Sequence, residues 1–97
     1  MQPLVGLRSK PEYLERRQAI VEAMLPHARD NVGRRMSAAE WQQYVDSLIG
    51  PMPPEDKDAA GRPRNPEWWL HHALIADARE IRLEGMRAVR KAGIPLK

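Results

Sequence analysis

Cysteine is absent from the 97 residues, and threonine with it. The first absence excludes disulfides, zinc thiolate sites and thiol nucleophiles together, and leaves the redox compartment undetermined. Of the three serines, Ser9 and Ser37 stand where they can cap helices, so Ser47 alone remains as a serine nucleophile. There is no glycine-rich phosphate loop, no pair of carboxylates in an apolar setting and no metal-ligand motif. The expectation is a chain that is not itself an enzyme and binds no cofactor or metal, although a noncatalytic place in an enzyme complex fits the same residues. Long apolar runs are missing too. None approaches the roughly 18 residues of a membrane-spanning helix, and Met1 to Leu7 lack the basic leader and apolar length of a signal peptide. A cytoplasmic location is expected.

What is present points to a folded domain. Hydrophobic residues make up 42% and charged residues 30%, too apolar for a wholly disordered chain and too charged for a membrane one. The length suits one domain over residues 1–97, with 1–7 as an N-terminal arm. Such a chain buries only about 60 to 65% of its unfolded surface. The net charge is +3, but basic residues alternate with acids instead of forming a block. Arginine outnumbers lysine twelve to four, which favours forked pairing with carboxylates or phosphates.

The spacing predicts an all-α, three-helix unit. Ser9 and Glu12 read as a capping box for a first helix over about 10–30, with Tyr13, Leu14, Ile20, Val21, Met24, Leu25 and Ala28 on its inner side. Pro26 predicts a kink or a restart. A second capping box, Ser37 with Glu40, opens a helix over 38–49, and Met36 and Trp41 are spaced as a hydrophobic staple. Trp41, Tyr44, Val45 and Leu48 form its inner side, and Gly50-Pro51 stops it. Residues 51–64 belong to a proline-rich loop or tether, since the segment from Gly50 through Pro66 holds five of the nine prolines, Pro66 included. Asn65 and Pro66 then start a helix over 66–92 that Gly93-Ile94-Pro95 ends.

That third helix has one apolar side more than a small bundle requires. Leu70, Leu74, Ala78, Ile81, Gly85, Ala88 and Ala92 make one stripe, and Asp77, Glu80, Glu84, Arg87 and Lys91 a solvated face beside it. The remaining side carries Trp68, Ile75, Leu83 and Met86, with His72, Arg79, Arg82 and Arg90 around them. Tryptophan, methionine and arginine are the residue types enriched at protein interfaces. Either this side packs on a neighbouring helix, or another chain covers it, as a homo-oligomer or a larger protein partner. His71 and His72 point about 100° apart on a helix and cannot grip one ion together, so they are expected to be ordinary hydrogen-bonding groups.

Nucleic acid is the competing partner. Residues 31–37 can form the turn of a helix-turn-helix, with Arg34 and Arg35 on phosphates and Gln42 and Gln43 reading adenine edges. Glu40 would then face the phosphates. Arg62 and Arg64, in Gly61-Arg62-Pro63-Arg64, resemble part of an AT-hook core without its preceding arginine. Arg79, Arg82 and Arg90 form a third basic row. The favoured reading is a helical interaction module, an accessory subunit, adaptor or inhibitor, docking through the Trp/Met/Arg side of the third helix.

Overall fold

The computed structural model describes residues 6–31, 36–54, 57–62 and 64–94. Among them are four helices: α1 (Pro11–Asp30), α2 (Ala38–Ile49), α3 (Pro66–Ala76) and α4 (Ala78–Lys91). Every pair of helices touches, most extensively α1 along α4, and then α2 along α4. No described helix is long and apolar enough to cross a membrane.

Residues 6–10 lead into α1 through backbone bonds from Ser9 N to Gly6 O and from Lys10 N to Leu7 O. The predicted Ser9–Glu12 box does not form. The cap is Lys10, without a side-chain bond, and Pro11 takes the first helical position, where its missing N–H leaves nothing unsatisfied. Nor does Pro26 divide the helix, which runs through it to Asp30. Pro26 and Glu22 are both exposed, so the Glu22 carbonyl that loses its intrahelical donor lies on the solvent side. Tyr13, Ile20, Val21, Met24 and Ala28 are buried as the spacing predicts, whereas Leu14, at the edge of that stripe, stays exposed.

In α2 both halves of the capping box are made, from Glu40 N to Ser37 Oγ and from Ser37 N to Glu40 Oε1. Met36 packs against the core beside buried Trp41, as a staple requires. Gly50 ends the helix at φ 81°, a left-handed conformation that glycine adopts without penalty. The inner side turns further than expected, with Ile49 buried and Leu48 exposed.

The expected third helix is two. Asp77, at φ −98° and ψ 6°, leaves helical geometry for the bridge region and separates α3 from α4. The backbone ladder nonetheless crosses the break, from Asp77 N to Ala73 O and from Ile81 N to Asp77 O, so the two helices follow one another as a bent rod. Asn65 caps α3 through Glu67 N, with Pro66 at the first position. Past the end of α4, Ile94 N bonds Val89 O and Gly93 N bonds Arg90 O, with Gly93 at φ 82° and Ile94 buried, which is a Schellman closure. Val89 joins Leu70, Leu74, Ile81 and Gly85 inside, and Ala92 stays outside. One core unites all of these with α1 and α2.

Candidate docking surface

Two features dominate the α3–α4 rod: an ionic knot that holds its bend from one side, and a cationic stripe along the other.

The knot centres on Asp77. Arg8 forks onto its carboxylate, Nε to Oδ2 at 2.7 Å and Nη2 to Oδ1 at 2.9 Å. Buried Tyr13 donates its hydroxyl to Oδ2 and accepts from Arg17 Nη1 at 3.0 Å. Arg17 also reaches Glu84 at 3.2 Å. Burial alone would raise the Asp77 carboxyl, but the hydrogen bonds from Arg8 and Tyr13 and the charges of Arg8 and Arg17 outweigh it and hold it below the usual aspartate value. Burial, and then the bond to Asp77, push the Tyr13 phenol upward. The polar face expected to need no partner therefore has two of its acids engaged, Asp77 and Glu84. One signal in the sequence marks the spot: an aspartate flanked by alanines inside a helical run, where aspartate is a poor helix former.

The other side carries the residues expected to dock. Trp68 is half-buried and lies over the His72 ring, with centroids 5.0 Å apart and planes inclined at 26°. Trp69 turns inward against the core, its ring edge-on to Trp68 at 4.8 Å. The His72 Nδ1 is buried with no hydrogen-bond partner among the described residues. His71 Nδ1 donates to the Glu67 carbonyl at 3.0 Å, since a carbonyl only accepts. Ile75 is 47% exposed. Arg79 and Arg90 are exposed, Leu83 half-buried, and Met86 half-buried against the core. Arg82 leans toward α2, giving Nε to Gln42 Oε1 at 2.8 Å and Nη1 to Met86 Sδ at 3.3 Å. The side that the sequence left open is thus partly taken up, Arg82 by α2 and Met86 by the core, and open at Ile75, Arg79 and Arg90. Where α2 ends against the bend, Gln42, Asp46, Ile49, Gly50, Ile75, Ala78 and Arg79 line a groove of about 400 Å³.

The nucleic-acid candidates are scattered differently. Arg34 and Arg35 lie outside the described residues, as does Pro63. Gln42 also donates to Asp46 at 3.3 Å, while Gln43 is exposed. Arg62 and Arg64 are exposed, and residues 58–62 close a turn in which Asp58 Oδ1 accepts from Ala60 N and Arg62 N. Those bonds, the one from Arg62 foremost, lower the Asp58 carboxyl. At least this part of the 51–64 segment is built as a turn. Among the described residues no group of three or more histidines or acids is arranged to hold a metal ion.

Comparison with known proteins returns no matching family model, no matching curated protein and no matching solved structure.

Proposed function

We propose that this chain is a helical protein-docking module, an accessory subunit, adaptor or inhibitor, that grips a larger protein through the open side of α3 and α4. The observation that carries the reading is Ile75, a large apolar side chain left 47% exposed near the end of α3 and followed on α4 by exposed Arg79 and Arg90, which make no ion pair or side-chain hydrogen bond with any described residue. An exposed branched aliphatic continued by unengaged arginines is the makeup of an interface awaiting its other half. Trp68 and Met86 extend the apolar contact at either end, with His72, Arg82 and Leu83 beside them. The reading assigns the chain no chemistry of its own: it acts by occlusion or by scaffolding.

The test is capture from extracts of the native host by the immobilised full chain, compared with the double variant Trp68→Ala, Arg79→Ala. The variant should retain its far-ultraviolet helical signal and lose the captured protein by about tenfold or more, as removal of an aromatic anchor and an arginine at an interface centre does. Capture unchanged by the variant rejects this surface.

A further inference from the structure

The open stripe is of one charge sign, and the surrounding residues explain why its charge has not been neutralised from within. Asp77 and Glu84 are held by Arg8, Tyr13 and Arg17, and Glu67 by Arg16 at 2.7 Å. Arg82 is satisfied by the amide of Gln42 and the sulfur of Met86, neither of which carries a negative charge. Along the stripe apolar and cationic side chains alternate, Ile75, Arg79, Leu83 and Met86, Arg90, at three- and four-residue steps that keep them on one side of a helix. Asp46 is the carboxylate among the residues that line the groove with Ile75 and Arg79.

Three kinds of occupant can be weighed against this pattern. A second copy of the chain would set the arginines of one stripe against those of the other, with one Asp46 from each side to offset them, and like charges across an interface oppose it. A nucleic-acid backbone would satisfy the arginines but offers no apolar surface to Ile75, Leu83 and Met86 between them. A protein helix with an apolar stripe bordered by carboxylates satisfies both sets. We propose that the partner presents such an acidic amphipathic helix, laid along α3–α4 with an apolar side chain in the groove between Ile49 and Ile75 and carboxylates on Arg79 and Arg90. The eleven-residue step between those arginines spans roughly 16 Å of helix, three turns, which a second helix matches with acids at the same interval. Forked guanidinium contacts to carboxylates then set its register.

This inference rests on the docking reading above and names the chemistry of what docks. The probe is a displayed library of random helical peptides of about 18 residues, long enough to span the stripe, selected on the full chain. Recovered peptides should carry apolar residues at helical spacing bordered by Asp or Glu. Their amide versions, with Asn and Gln, should bind about tenfold or more weakly. Arg79→Glu and Ile75→Asp should each lose the peptides while keeping the wild-type circular dichroism, because both positions are exposed. Recovery of no peptide, of peptides without acidic bias, or of peptides that bind both variants undiminished overturns the inference. So does Arg79-dependent binding of duplex DNA, of anionic phosphatidylglycerol vesicles or of a second copy in sedimentation, where the peptides fail. If host capture still depends on Trp68 and Arg79 while the acidic helices fail, the docking reading stands and only the partner chemistry falls; if capture is indifferent to both residues, the docking reading falls by itself.

Discussion

Gly85 shows how one missing side chain sets the spacing of α1 and α4. A Cβ built there would lie 2.0 Å from Met24 Sδ and 2.7 Å from its Cε, and Met24 is fully buried, so its thioether would have to shift within a filled core. Two effects oppose one another in Gly85→Ala. Alanine favours the helix by about 1 kcal/mol over glycine, while forcing an atom into a filled core costs about 1 to 3 kcal/mol. At 2.0 Å the clash wins, and the variant should melt several degrees lower, on the scale of about 4 to 8 °C per kcal/mol for a domain of this size. In a Met24→Ala background the same change should become neutral or stabilising, a sign reversal that thermal melts of the four proteins would reveal. His72 poses the opposite case. Its buried Nδ1 has no partner among the described residues, so His72→Phe keeps the ring over which Trp68 lies and removes an unsatisfied polar atom. A gain of about 1 kcal/mol is expected in urea unfolding; a loss would show that the nitrogen has a ligand.

Between elements, the Asp77 knot ties the entrance of α1 to the bend between α3 and α4, and it makes that junction sensitive to acid. Because its carboxyl is depressed in the fold, the unfolded chain binds the proton more readily, and stability falls as pH drops through the native value. The contribution is fully present above the ordinary aspartate value of about 3.9 and is lost progressively below it. Asp77→Asn should therefore be less stable than the parent by about 2 kcal/mol near neutrality, as expected for a lost charge-assisted set of bonds, and the two stability curves should approach one another as the pH falls through the depressed native value. Parallel curves in urea titrations across that range would show that the charge is irrelevant. Tyr13 sets the alkaline limit with the reverse sign, its raised phenol contributing stability that disappears as pH climbs above about 10.

The same junction separates what could be read in the sequence from what could not. The Ser37–Glu40 box, the Asn65-Pro66 start and the Gly93 stop were legible because each is settled within four residues of chain. The break at Asp77 depends on Arg8, 69 positions away, and no periodicity encodes that. Ser9 failed as a cap because residues 6–10 fold into their own turn. Trp68, Ile75, Arg79 and Arg90 were identified as one side of a helix from spacing alone. That α2 takes up Arg82 and the core takes up Met86 follows from tertiary packing, which leaves no mark on the pattern.

At the scale of the whole molecule, the protein is extended, 53 × 22 × 16 Å with a radius of gyration of 15.5 Å, against about 12 to 13 Å for a compact chain of this length. α1, at roughly 30 Å, is the longest of the described helices, and α4 is the one along which both it and α2 lie most extensively. An elongated core offers less cooperativity per residue than a round one, because each helix end is bounded by fewer neighbours. Against that, the buried residues form one connected cluster from Leu7 to Ile94, with Trp41 and Val45 of α2 in the same set as Met24 of α1 and Ile81 of α4. Connectivity decides the outcome: loss of any helix uncovers members of that one cluster on its neighbours, so the four should unfold together. With Trp68 and Trp69 replaced by phenylalanine, Trp41 becomes the sole tryptophan and its emission, excited selectively at the long-wavelength edge where tyrosine does not absorb, reports on α2, while ellipticity at the helical band reports on all four. The two signals should trace one superimposable transition in urea, as a two-state domain requires. If Trp41 were exposed at lower denaturant than the bulk of the helix is lost, α2 would be a separately folding flap, and the side of α4 that it meets, at Arg82, would open before the core does.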